Sequence, residues 1–340
     1  LPNNNIQHIT AAFGLGPCQV EPITEGLINR TYKATDSTGR SYIVQQINTT
    51  IFPNPQHVQE NFVIISKILQ PYYLVPQLVP TYENALYLQH EGEAWRCFTF
   101  VENSYTPSGT VNEDLAYTTA KCFGHFTALL STSKPGLHTI LPRFHHLGWR
   151  AKQLVEAKAQ ATPHRLKLAQ PCLSKLDEYD YLLRHFALWQ ANPKHYPQRI
   201  LHHDTKPTNI LYDKATHQVL CPIDLDTTQP GLFFSDLGDM IRTLAPSHEE
   251  NDIHFDDIEV RPMYLQALMQ GYMDTTHTLW TPHEREALSL SGKVLLYMQA
   301  IRFLADFLNN DSYYQTRYDL HNLHRAINQI TVLERLSQIS

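Results

Sequence analysis

The chain has 340 residues, 42% of them hydrophobic and 18% charged, with a net charge of −6. That length can bury a large core and suits two lobes better than one. The acidic balance argues against a nucleic-acid-binding protein, which needs a basic footprint, and no apolar run approaches the length of a membrane span.

The start, Leu1-Pro2-Asn3-Asn4-Asn5, has neither the basic nor the apolar segment of a signal peptide. It also lacks Met, so the natural start is expected to lie upstream. Three short β-type runs follow, Val20–Ile23, Thr31–Thr35 and Ser41–Ile47, split by Gly26 and the Ser37-Thr38-Gly39 cluster. After Pro53 and Pro55, the residues Val58, Phe62, Ile65 and Leu69 recur at helical spacing. Further strands are expected near Leu86–Gln89 and Trp95–Val101. Three strands, a helix and more strands is the order of a kinase amino-terminal lobe, although other α+β folds share it. The connection to the second lobe is expected near Val101–Asn103.

From about Ser104 the composition shifts. Thr106-Pro107-Ser108-Gly109 breaks the chain, and helical patterns follow over Glu113–Leu130 and Cys172–Trp189. Thr281-Pro282-His283-Glu284 supplies an N-cap, a proline at the first helical position and a capping-box glutamate. That helix is expected to run to about Leu308. The five cysteines (Cys18, Cys97, Cys122, Cys172, Cys221) are scattered without a C-x-x-C pair and read as reduced thiols of a cytoplasmic protein. Among nineteen histidines, the pairs His145-His146 and His202-His203 point in different directions on strands and helices. They read as core or surface residues, not metal ligands.

The chemistry sits in Leu201–Leu211, LHHDTKPTNIL, and in Ile223-Asp224-Leu225-Asp226. Phosphoryl transfer from ATP needs a carboxylate to accept the proton of the attacking hydroxyl. It also needs an amide and a second carboxylate to hold the metal on the phosphates. Asp204 fits the first role; Asn209 and Asp224 fit the second. Taken singly, Asp204 or Asn209 is better explained as a turn residue with a capping role. The ordered set with hydrophobic flanks favours a kinase. His202 reads as a brace for the loop, Lys206 as a cation for the transferred phosphoryl group or an exposed loop lysine, and Asp226 as a metal ligand or a loop-ordering residue.

HHDTKPTNIL with IDLD and Asp236-Leu237-Gly238-Asp239 resembles the aminoglycoside phosphotransferase and choline kinase superfamily, which shares the protein-kinase fold. EGLINRTYKA (Glu25–Ala34), YIVQQINTTIF (Tyr42–Phe52) and FLADFLNNDSYY (Phe303–Tyr314) are similar to the N-acetylhexosamine 1-kinases, in the same order over nearly the whole chain. The resemblance implies an α+β, bilobal fold. Its small β-rich nucleotide-binding lobe spans 1–103 and its mainly helical catalytic lobe 104–340. It implies ATP and Mg2+ as cofactors, Asp204 as base, and Asn209 and Asp224 on the metal. Gly26, Asn29 and Thr31 would form the loop over the phosphates, with Gln45 on the third strand, and Val101 and Asn103 would meet the adenine edge. Arg302 and Tyr313 would contact a sugar, the phosphorylated group being the anomeric hydroxyl of an N-acetylhexosamine. Against those two roles stand an exposed helical arginine paired with Asp306 at i+4 and a core tyrosine.

Two departures stand out. Protein kinases carry a lysine on the third strand, where this chain reads Val44-Gln45-Gln46, so Glu60 on the next helix has no lysine to pair with. Leu27 falls where some relatives have histidine near the sugar. The rival readings are a protein kinase, an inactive nucleotide-binding scaffold and a metal hydrolase built on His202, His203 and Asp204. A kinase for choline-like or aminoglycoside acceptors would want carboxylates, which Asp252, Asp256, Asp257 and Glu259 could supply, unless they form a solvated acidic face. No nucleic-acid or membrane partner is expected, and the oligomeric state is not legible.

Overall fold

The computed structural model describes residues 3–23, 28–107 and 112–339. Gly26, Leu27, Ser108 and Gly109 lie outside them. In chain order the first elements are α1 (Asn3–Ala12), β1 (Gln19–Ile23), β2 (Arg30–Thr35), β3 (Ser41–Ile47), α2 (Pro55–Leu69), β4 (Leu78–Val79), β5 (Leu88–His90), β6 (Glu93–Thr99) and β7 (Ser104–Tyr105). Next come α3 (Glu113–Ser133), α4 (Leu147–Gln160), α5 (Pro163–Glu178), α6 (Tyr181–Ala191), β8 (Arg199–Leu201), β9 (Ile210–Asp213), β10 (Val219–Pro222) and β11 (Gln229–Gly231). The chain closes with α7 (Phe234–Leu244), α8 (Pro262–Thr276), α9 (Pro282–Ala287), α10 (Ser291–Leu308) and α11 (His321–Ile339). Its contacts divide into two units. The first is Leu1–Pro107, Thr132–Pro142 and Thr208–Gln229; the second is Ser108–Ser131, Arg143–Pro207 and Pro230–Ser340. One is β-rich and the other mainly helical, the α+β class expected.

In the first unit an antiparallel sheet runs β1-β2-β3-β6-β4, with β5 also paired to β6. Val44 lies opposite Cys97, Gln45 opposite Arg96, and Ile47 opposite Ala94. Because successive strand residues face opposite ways, Ala34, Val44, Trp95 and Cys97 pack with Ile6, Ile9 and Phe13 of α1. On the other face, Ile47 and Ala94 pack with Phe52, Val58 and Ile140. Gln45 and Arg96 share this second face by register. Helix α2 starts where Asn54 accepts the His57 amide and Pro55 fills the first turn.

A latch holds residues 132–142 to α2. Asn61 bonds both the carbonyl and the amide of His138 (2.9 and 2.8 Å), and Glu60 meets His138 Nε2 at 2.7 Å. His57 stacks on His138 with ring centroids 3.9 Å apart and planes within 3°. Lone pairs lying in parallel planes do not converge, so these rings brace the loop and do not chelate. Glu60, which has no lysine to pair with, is spoken for here.

In the second unit α10 is buried along nearly its whole length, as a helix apolar on all sides must be. Helices α4, α5, α6, α7 and α11 pack around it. The capping box at Thr281 forms as expected, Thr281 accepting the Glu284 amide and Glu284 accepting that of Thr281. The helix does not run on to Leu308: α9 stops at Ala287, a 3-10 turn covers Leu288–Leu290, and α10 begins at Ser291. Cys172–Trp189 is likewise broken, at Tyr179–Asp180 between α5 and α6. Among the described residues no helix is long and apolar enough to cross a membrane.

Candidate active site

Asp204 lies just beyond β8, in a loop shaped by two carboxylates of α7. Asp236, fully buried, accepts the amides of His202 (3.0 Å) and His203 (2.8 Å) and the hydroxyl of Thr127 (3.0 Å). Asp239 accepts the Thr205 amide at 2.9 Å, and Thr205 Oγ1 donates to the Asp236 carbonyl at 2.8 Å. The backbone on both sides of Asp204 is therefore fixed while its own side chain stays half-exposed. Burial pushes the Asp236 carboxyl up, and the His202 and His203 amides pull it back. Asp239 is balanced by Arg242, whose other arm meets Glu250 at 2.6 Å.

His203 takes a left-handed backbone (φ 68°) and bonds Ser235 Oγ at 2.7 Å; His202 packs edge-on against Phe123 and Phe126. Both histidines are structural, as the sequence reading held for His202. Lys206 Nζ sits 3.1 Å from Asp204 Oδ2, so the lysine is paired with the candidate base. At the start of β8, Arg199 meets the buried Glu284 at 2.6 Å, tying the strand that feeds this loop to the α9 cap.

The second half of the motif belongs to the first unit. Asn209 closes a 3-10 turn ahead of β9, and its carbonyl accepts the Ile223 amide at 2.8 Å. That bond sets Asp224, the next residue, beside Asn209. Asp224 is exposed in a left-handed conformation (φ 59°, ψ 54°), which aspartate tolerates better than most residues. An exposed carboxylate is the kind of oxygen ligand that a hard divalent cation takes.

Asp226 behaves differently. It is 4% exposed, and Arg96 grips it with Nη1 and Nη2 at 2.7 Å each. Asn29 Nδ2 adds a bond at 3.1 Å. The Arg96 Nε and Nη2 atoms also reach Gln45 Oε1 at 2.8 and 2.5 Å, while Gln45 Nε2 donates to Thr31 Oγ1 at 2.8 Å. Asn29 in turn accepts the Asn48 amide at 2.9 Å. Asn29, Thr31 and Gln45 are therefore joined in one network, buried at Asn29 and Asp226 and half-buried at Thr31 and Gln45, centred on an arginine that motif reading missed. Removing one partner of such a pair costs about 3–5 kcal/mol, because a buried charge is left uncompensated.

Residues 19–280 match the phosphotransferase enzyme family. The chain belongs to that family. It is similar in structure to a microcompartment-associated aminopropanol kinase, at 17% identity and TM-score 0.65 over 99% of this chain and 98% of that one. An amicoumacin kinase in complex with AMP-PNP, Ca2+ and Ami is 14% identical, with TM-score 0.64 over 100% and 97%. An aminoglycoside phosphotransferase from Alicyclobacillus acidocaldarius is 15% identical, with TM-score 0.62 over 98% and 95%. At such identities the likeness carries the kinase-like fold.

The remaining expected residues of this phosphotransferase fall in two places. Val101 is buried and Asn103 left-handed (φ 56°); the Val101 carbonyl accepts Ser104 Oγ at 2.6 Å, and the Asn103 carbonyl accepts the Lys214 amide at 2.8 Å. In the second unit Arg302 does not pair with Asp306. That carboxylate accepts the Tyr313 and Tyr314 amides (2.8 and 2.9 Å) and Asn322 Nδ2 (2.9 Å), closing the turn after α10. Arg302 instead bonds Gln299 and lies over the Phe144 and Tyr314 rings at 5.4 and 5.6 Å. Tyr313 is 63% exposed, so it is no core residue. Arg150, which the sequence reading passed over, stands near enough to Arg302 that burial and this like charge push it down to about 10. The Arg150 and Arg302 Nε atoms and the Tyr314 hydroxyl are buried with no partner among the described residues.

Proposed function

We propose that this protein is an ATP-dependent small-molecule kinase that transfers the γ-phosphoryl group to a hydroxyl of a sugar. The observation that carries the reading is the pair of accessible carboxylates, Asp204 and Asp224, each set by buried neighbours that carry no chemistry themselves. Asp204 accepts the hydroxyl proton, and Lys206 beside it offsets developing negative charge. Asn209 and Asp224 would hold Mg2+, which neutralises phosphate charge when bound. Residues 1–103 serve the nucleotide, through Asn29, Thr31, Gln45, Val101 and Asn103, and residues 104–340 serve catalysis and the acceptor.

The acceptor end is Arg302, Tyr313, Arg150 and Tyr314. Two arginines with unused donors suit a neutral, oxygen-rich acceptor and repel a polycation. Asp252, Asp256, Asp257 and Glu259, which an aminoglycoside or choline site would need, are mostly exposed. The anomeric hydroxyl of an N-acetylhexosamine fits this chemistry and the family resemblance. Against a peptide acceptor, α7 begins at Phe234, soon after Asp226, which leaves little chain for a docking segment. The test is ADP release over hexoses, N-acetylhexosamines, amino alcohols, aminoglycosides and proteins, followed by location of the phosphate on the product. Turnover confined to amino alcohols would replace the sugar reading. Nucleotide binding without turnover on any acceptor would make the chain a scaffold.

A further inference from the structure

In protein kinases the third-strand lysine meets the α- and β-phosphates and forms an ion pair with a glutamate of the next helix. This chain has Gln45 there. The search for a substitute leads one strand over, to the residue paired with Gln45 in the sheet register, Arg96. Its strand neighbours Trp95 and Cys97 point to the α1 face, so Arg96 lies on the face shared with Gln45, where a charge is costly to bury. The charge is nonetheless 3% exposed and doubly bonded to Asp226, which stands two residues after Asp224.

We infer that Arg96 is a positioning residue that takes over the ion-pairing part of the third-strand lysine, and not its phosphate contact, and that Asp226 is its counterion and not a metal ligand. This rests on the nucleotide reading above and deepens it. The pair does what a lysine and its carboxylate partner would do, with the partner moved. Helix α2 cannot supply it, because Glu60 is engaged by Gln56 and His138. The turn after β10 supplies it instead. Both Asp226 oxygens are taken, Oδ1 by Nη1 and Oδ2 by Nη2 and Asn29, and the arginine cancels its charge. Through Asn29 the same carboxylate also anchors the chain just after residues 24–27, the loop expected over the phosphates. One guanidinium therefore sets both the metal-bearing turn and the chain at Asn29.

The experiment uses the full chain and four forms of it. Arg96→Met with Asp226→Leu removes the pair together, since replacing a buried ion pair with apolar residues often preserves folding. Arg96→Gln removes the cation alone. Gln45→Lys with Arg96→Gln returns a cation to the third strand, opposite the same carboxylate. The apolar double variant is expected to melt within a few degrees of wild type. Its KM for MgATP should rise roughly tenfold or more, and its requirement for free Mg2+ should rise, with the acceptor KM within about threefold. The lysine variant should recover most of the loss seen in Arg96→Gln. A folded double variant with wild-type KM for MgATP overturns the inference, as does a lysine variant no better than Arg96→Gln. If wild type itself shows no MgATP-dependent transfer or binding, the nucleotide reading fails first, and that result is separate.

Discussion

At Asp224 the buried neighbour, Asp226, is matched by a full positive charge from Arg96. At Asp204 the buried neighbour, Asp236, is matched by neutral donors: the amides of His202 and His203 and the hydroxyl of Thr127. The first arrangement is a charge-balanced block whose members depend on one another. The second keeps a carboxylate in the interior by hydrogen bonds, and burial raises its affinity for protons. In each, an accessible acid stands near an inaccessible one: Asp236 fixes backbone amides, and Asp226 ties the Arg96 and Asn29 side chains together. Activity and stability should therefore separate cleanly by residue at the Asp204 loop.

The sharpest way to break this division is Asp204→Asn. The side chain is half-exposed and its salt bridge to Lys206 contributes little to folding. The urea midpoint should stay at the wild-type value while kcat on the true acceptor falls by roughly 10²–10⁴. A wild-type rate would strip Asp204 of the base role. Asp236→Asn should show the converse. An amide cannot accept all the donors that reach this site, and an unsatisfied buried group costs about 1–3 kcal/mol. That loss is measurable by urea denaturation before any kinetic change is assigned. A comparable destabilisation is expected of Gly238→Ala, between the two α7 acids. Its added Cβ would lie 2.5 Å from the Ser291 carbonyl oxygen, and overpacking of this kind costs about 1–3 kcal/mol.

The smallest effect concerns pH. Burial, His203 and the charges of Arg302, Arg242 and Arg150 hold His145 well below its ordinary 6.5. The unfolded chain takes up this proton before the folded one does. Stability is therefore fully present above pH 6.5 and is lost as the pH falls toward the folded-state value. Thermal melts across pH 5–8 should show that slope in wild type, and His145→Asn should make it shallower, the remainder coming from His125, His146, His321 and His324, which burial also lowers.

Much of this was legible in the sequence, for local reasons. Strand Ser41–Ile47 and helix α2 declare themselves by turn residues and by spacing, and the α9 cap by four adjacent residues. The Asp204 and Asp224 motifs are short and ordered. Helix α1 escaped notice because its first turn is asparagine. The α9–α10 break escaped because Leu288 and Leu290 continue the apolar pattern through the 3-10 turn. Arg96 escaped for a different reason: its carboxylate lies 130 residues away along the chain. The available signal was a lone cation within Trp95-Arg96-Cys97-Phe98, directly across from a strand that had lost its own.

The first unit is discontinuous, assembled from the start of the chain, from Thr132–Pro142 and from Thr208–Gln229. A fragment ending at Pro107 would keep the whole main sheet yet bury a guanidinium with no counterion, and it would forfeit the His138 latch on α2. The β-rich half is thus not portable by simple truncation. Ribosomal synthesis must pass residue 226 before that half can reach its final state, so its maturation awaits about two-thirds of the polypeptide.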